Sequence, residues 1–146
     1  MRIRSLGHVV VRVSDVERAE RFYNGVLGLP VCARLDHDGM KMAFFSLGNH
    51  HDFAVMQRPQ GVRPEGEALV GLDHVAFKIG DSLDELRAAK KVLDAAGVAA
   101  QPIDHEVTKS LYLSDPDGNG VELYVDASDV WKRDPQRVAQ LSPLEL

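Results

Sequence analysis

The sequence predicts an α+β fold: two tandem βαβββ modules packed as one domain over residues 1–126, followed by a tail over 127–146. Three observations predict it. A strand–turn–helix–glycine–strand pattern occurs in residues 7–31 and again in residues 73–100. Each copy is followed by a hairpin pattern carrying a Gly-Asn pair. Between the copies, Arg58-Pro59-Gln60-Gly61-Val62-Arg63-Pro64-Glu65-Gly66 reads as a linker, which sets the modules at about 1–60 and 69–126. Either module alone is too small to bury both faces of its sheet, so the two are expected to share one core.

In the first module, His8 to Val13 alternates as a half-buried strand does. Ser14-Asp15 offers a helix N-cap, with Glu17 close behind in the first turn. Ala19, Phe22, Tyr23, Val26 and Leu27 recur at helical spacing, Gly28 stops the helix, and Leu29-Pro30-Val31 opens the next extended piece. Lys41 to Leu47 and His51 to Val55 flank the Gly48-Asn49 turn. In the second module His74 to Ile79 alternates, and Gly80-Asp81-Ser82 caps a helix with the face Leu83, Leu86, Ala89, Lys90 and Leu93. Gly97 ends that helix. Leu111 to Ser114 and Val121 to Val125 then flank Asp115-Pro116-Asp117-Gly118-Asn119-Gly120. His8 thus aligns with His74, Asp15 with Asp81 and Gly28 with Gly97, and aligning the two Gly-Asn pairs places Asp52 opposite Glu122. In the tail, Ser128 is placed to cap a short helix that Pro135 interrupts or restarts, and Trp131 is read as a packing residue.

The chain has 146 residues, 45% apolar and 27% charged, which is an ordinary globular composition. A net charge of -5 argues against a nucleic-acid partner and against an anionic membrane surface. No apolar run approaches the ~18 residues of a membrane span. The first residues run straight into a strand pattern without a secretory apolar region, and the single cysteine excludes an internal disulfide, so a cytoplasmic address is expected. Cys32, between Val31 and Ala33, is read as a buried small hydrophobe.

Three residues conflict with their surroundings. His8 and His74 open apolar strands, and Glu122 lies inside another. Burying a bare carboxylate is costly unless it is paired or bound to a metal. Two neutral imidazoles and one carboxylate are also the facial ligand set that holds non-haem Fe(II) with positions left open. A lone strand histidine is usually a core residue; two at matching strand starts, with a carboxylate in a closing strand, shift the balance toward metal.

The duplicated βαβββ plan with its paired strand-start histidines resembles the vicinal oxygen chelate superfamily. That group includes glyoxalase I, fosfomycin-resistance proteins, methylmalonyl-CoA epimerase and type I extradiol dioxygenases. The resemblance spans about residues 3–126, and it places His8, His74 and Glu122 at the metal-ligand positions. Finer motifs resemble catechol 2,3-dioxygenase-like proteins. His50-His51-Asp52-Phe53-Ala54 is similar to a His-His-x-x-Ala strand whose second histidine handles protons at the metal pocket. Asp104-His105, followed by Tyr112 ten residues before Glu122, is similar to a C-terminal signature in which a histidine and a tyrosine contact the bound catechol. The resemblance therefore implies catalytic roles for His51, His105 and Tyr112. It implies Fe(II), with Mn, Ni, Zn or Co as alternative divalent metals, and an aromatic diol and O2 as substrates. A homodimer or larger homo-oligomer is also implied. The familiar extradiol enzymes have four modules where this chain has two.

Other readings stand beside these. Strand alternation puts His51 and Asp52 on opposite faces, so if Asp52 matches Glu122, His51 points away from it. Tyr112 reads almost as well as a core tyrosine with a satisfied hydroxyl. His50 reads as an exposed turn residue and His37 as solvated. The main rival function is a metal-dependent isomerase or lyase of the same fold, with Asp52 as a fourth ligand or base. A non-catalytic resistance protein that only binds a small molecule is the other rival; such binders commonly lack the three ligands.

Overall fold

The computed structural model describes residues 7–48, 50–57 and 72–146. It is an α+β structure with two mixed sheets, each part of a βαβββ module, and the chain divides into compact units at Leu69/Val70. The expected linker at 58–66 lies outside the described residues, as do Met1 to Leu6 and Asn49.

In the first unit, β1 (Val9–Val13), β2 (Val31–His37), β3 (Met40–Phe45) and β4 (Phe53–Gln57) form a sheet in the order β1-β4-β3-β2. β1 runs parallel to β4, and the remaining pairs are antiparallel. Helix α1 (Val16–Glu20) starts where the sequence places it: the Asp15 carboxylate accepts from the Arg18 N–H at 2.8 Å. It widens into a π-type turn over Arg21–Val26, with Leu27 N–H reaching Phe22 O, and ends at Gly28 with φ +76. Ala19, Phe22 and Tyr23 are buried with Val11, Val13, Phe45, Phe53 and Val55, and the Tyr23 ring lies 4.7 Å from that of Phe53. The β2–β3 hairpin turns at Asp38 and Gly39, both with positive φ, as its tight geometry requires. Cys32 is exposed, against expectation. The apolar neighbours Val31 and Ala33 suggested a core strand, but β2 is the sheet edge, its register slips between those two residues, and it is exposed from Cys32 to its end.

In the second unit, β5 (His74–Gly80), β6 (Ala100–Asp104), β7 (Thr108–Ser114), β8 (Gly120–Asp126) and β9 (Ser142–Pro143) are ordered β5-β8-β7-β6-β9. The parallel pair β5/β8 mirrors β1/β4. Helix α2 (Leu83–Ala95) is capped by Ser82, whose hydroxyl also donates to Glu85, a reciprocal capping box. Leu86 and Leu93 of α2 are buried, as are Phe77, Leu111, Leu113, Val121, Leu123 and Val125. Alternation then sends His74, Ser110, Tyr112 and Glu122 to the opposite sheet face. The turn after β7 is built on Asp115, whose carboxylate accepts from the Asp117 and Asn119 N–H groups and from the Asn119 amide. That turn is therefore a structural device.

The C-terminal segment is tied to this sheet. Ser128 accepts from Val130 N–H at the head of a 3₁₀ turn (Val130–Lys132), and a second turn (Pro135–Ala139) begins at the proline. β9 then pairs with β6. A two-residue strand has no periodicity to read, and the sequence offered no strand there. Among the described residues no helix is long and apolar enough to cross a membrane.

Candidate functional site

The second module gathers four of the expected residues as two polar pairs, His105 with Tyr112 and His74 with Glu122, and the His74 and Tyr112 rings are 5.4 Å apart. His74 is the first residue of β5 and Glu122 the third of β8, two positions beyond His74's partner Gly120. Tyr112 of β7 is directly opposite Glu122. His105 sits in the β6–β7 turn, where Asp104 accepts from Glu106 N–H at 2.6 Å and also pairs with Lys109. Because Glu106 takes a positive φ of 66, the turn is tight and fixes the His105 backbone.

The donor and acceptor roles follow from the partners. His105 Nδ1 lies 3.0 Å from Gln140 O, and a carbonyl only accepts, so Nδ1 carries the proton. With the proton on Nδ1, Nε2 serves as acceptor for the Tyr112 hydroxyl 2.9 Å away. Burial first, then the Glu122 carboxylate, then Asp73 push the Tyr112 phenol up to about 12, so it keeps its proton at neutral pH. Buried Glu122 accepts from Ser110 Oγ at 2.6 Å through one oxygen. Its other oxygen lies 3.1 Å from His74 Nε2.

That last contact tests the site for a metal. His74 Nδ1 is 2.8 Å from the Asp73 carboxylate, which holds the proton on Nδ1. The Nε2 atom of His74 therefore faces a carboxylate oxygen of Glu122. Two acceptors in contact require a cation between them, either a proton or a metal ion. Two ligand atoms each about 2.1 Å from an ion and near right angles are ~3 Å apart, so the pair fits a shared metal. Gly120 leaves room for this arrangement: a Cβ there would clash with the Asp73 carbonyl and come within 2.9 Å of His74 Cβ.

In the first module His8 lies just before β1, and its ring is 4.2 Å from that of His51 and 6.1 Å from that of His50. His51 also meets Phe44 edge-on at 5.4 Å. Partial desolvation and the neighbouring imidazoles of His8 and His50 lower the pKa of His51, while Asp52 opposes them. His51 is thus neutral near pH 7 and able to accept a proton.

Strand register corrects one alignment. Since Val9 pairs with Phe53 and His74 with Gly120, the counterpart of Glu122 is Ala54, and Asp52 corresponds to Gly120. The first hairpin turn is longer, which misaligned the Gly-Asn pairs. The conflict over His51 dissolves for the same reason: residues 50–52 precede β4, so strand alternation does not govern them. Asp52 accepts from Leu47 N–H at 2.6 Å, and its own N–H donates to Phe45 O, so its carboxylate closes the turn.

Sequence reasoning missed Asp73, Ser110 and Gln140. Ser110 was findable, being polar and two residues before Tyr112 on the same strand face. The Asp73-His74 pair was also visible as an acid beside a histidine. Gln140 acts through its backbone carbonyl, which no residue identity announces.

The family model for the Glyoxalase/Bleomycin resistance protein/Dioxygenase superfamily matches residues 5–123. The chain belongs to this superfamily. Among its superfamily relatives, a catechol-2,3-dioxygenase of Bacillus subtilis is 33% identical over 130 residues, 88% of this chain and 44% of that protein. A lactoylglutathione lyase of Neisseria meningitidis is 26% identical over 80% of this chain and 86% of that enzyme. The glyoxylase/bleomycin resistance protein/dioxygenase domain from Frankia sp. EAN1pec shares the fold, with a TM-score of 0.72 and 22% identity over 86% of this chain and 100% of that one. The chain spans 44% to 63% of the length of the dioxygenases that it matches at 33–35% identity.

Proposed function

We propose that the chain is an extradiol-type dioxygenase that opens an aromatic diol with O2, using Fe(II) held by His8, His74 and Glu122. The observation that carries the reading is the metal-compatible pair of His74 and Glu122, with Tyr112 directly across the strands from Glu122 and bonded to His105. Identity to diol dioxygenases supports it. Fe(II) would supply one-electron chemistry toward O2, which zinc, with no redox states, does not.

The protein's own groups have distinct tasks. Asp73 holds His74 in the tautomer that ligates through Nε2, and Ser110 satisfies the second oxygen of Glu122. Tyr112, kept protonated, can turn its single hydroxyl hydrogen from His105 Nε2 to a substrate oxygen and so orient the substrate. His51, neutral beside His8, takes a hydroxyl proton from the diol and later gives it back. The two modules pack as one domain in this reading, and the protein assembles as a homodimer or larger.

A second reading, as a metal-dependent lyase or isomerase, is favoured by one observation. The lactoylglutathione lyases match over most of their own length, 86% in the Neisseria enzyme. Against it, the Asp52 carboxylate that would serve as base is engaged by Leu47 N–H.

The deciding experiment loads the protein anaerobically with Fe(II) and follows O2 uptake and the visible absorbance of a ring-opened product across a panel of catechols. Stoichiometric uptake with product supports the dioxygenase. No uptake with any diol, together with isomerisation of a hemithioacetal that Asp52→Asn abolishes, overturns it in favour of the lyase.

A further inference from the structure

We propose that the first module carries a second transition-metal site of its own, formed by the imidazoles of His8, His50 and His51. Their ligand-capable nitrogens all lie within 4.8 Å of one another, and among the described residues no other three histidine, cysteine or acidic side chains gather as closely. The rings of His8 and His51 are 4.2 Å apart, and those of His50 and His51 are 4.6 Å apart. In a tetrahedral site with metal–nitrogen bonds of about 2.1 Å, neighbouring nitrogens are ~3.4 Å apart. Rotations of side chains at the surface, each moving a nitrogen by about an ångström, close that gap.

The backbone holds the three together. Val9 N–H donates to Asp52 O at 3.1 Å, which ties the entry of β1 to the loop bearing His50 and His51. The Asp52 carboxylate is bonded to Leu47 N–H, so it fixes the loop and the three imidazoles supply the ligand set. Three neutral nitrogens with no anionic ligand select late first-row ions: Cu(II), Ni(II), Zn(II) and Co(II) bind well, and Mn(II) binds poorly. With three protein ligands, a fourth position stays open to water.

The site has a consequence for the proposed reaction. It takes His8 from the proposed iron ligands and His51 from proton handling, so a late metal bound here blocks turnover. The site itself does not depend on that reading, because it uses neither His74 nor Glu122.

The test uses the full chain carrying His74→Ala and Glu122→Gln, which removes the second module's ligand pair. This double variant is expected to bind one equivalent of Zn(II) by calorimetry. With Cu(II) it should give an electron paramagnetic resonance spectrum with nitrogen hyperfine structure from imidazoles, and Mn(II) should not bind. Adding His50→Gln should weaken Zn(II) binding about tenfold or more, because one of three protein ligands is lost. Failure of the double variant to bind either Zn(II) or Cu(II), or equal affinity with and without His50→Gln, overturns the proposal. If the double variant does not fold, His50→Gln in the native chain decides. Weaker Zn(II) binding supports the tri-histidine site, and unchanged binding refutes it.

Discussion

At matched register positions the two modules carry different chemistry on the sheet face turned away from the helix. In the second, Tyr112 pairs across the strands with Glu122; in the first, Phe44 pairs with Ala54. His74 and His8 open the corresponding parallel strands. The second module places its polar groups within the strands, where hydrogen bonds and burial fix them. The first carries Phe44 and Ala54 at the matching positions and supplies histidines from the loop before β4, where His50 and His51 stand beside His8. The two modules share a backbone plan, but one holds a buried carboxylate and the other a cluster of exposed and half-buried imidazoles. The difference assigns separate tasks: the second module holds charge in a fixed place, and the first offers nitrogens that can move.

Glu122→Ala erases the difference most completely, since it copies the first module's Ala54. Under the proposed dioxygenase function, metal retention after dialysis and ring-opening activity should both be lost, read by metal analysis and O2 uptake. Retention of a full equivalent of iron would remove Glu122 from the ligand set.

His51→Ala breaks the first module's contribution. Turnover should fall by ~10²–10⁴-fold, the usual contribution of a general acid–base group, while Fe(II) content stays near that of the native protein. An equal loss of iron and activity would instead make His51 a ligand.

Gly120→Ala probes the close approach of β5 to β8. The new Cβ would press on the Asp73 carbonyl and on His74 Cβ, so strands must shift. The expected cost is ~1–3 kcal/mol in urea unfolding, with weakened metal binding as His74 moves. The first module carries Asp52 at the matching position, where the chain is still in its loop, so Asp52→Ala should not reproduce this clash.

Tyr112→Phe copies Phe44 and should have the smallest effect. It removes one hydrogen-bond donor and leaves the metal ligands in place, so kcat should fall by no more than about tenfold, with iron content unchanged. A loss as large as that of His51→Ala would make Tyr112 the principal proton donor.

Much of this was legible in the sequence because it is local and periodic. Alternating strands, the Asp15 and Ser82 caps, and the glycine stops at 28 and 97 each follow from a few adjacent residues. A glutamate inside an apolar strand stood out because such a residue must find a partner, and Glu122 meets Ser110 and His74. What only the tertiary structure decided is register and edge position. Pairing across strands replaced Asp52 with Ala54 as the counterpart of Glu122, and it made β2 an edge, which exposed Cys32. It brought Ser110 to Glu122 and the Gln140 carbonyl to His105, 35 residues away in sequence. Register depends on turn lengths and long-range packing, which a residue's own neighbours do not encode, and a backbone carbonyl is the same for every residue type. The sequence by itself therefore singled out most of the side chains proposed to do chemistry; the fold decided which of them meet and brought in Asp73 and Ser110.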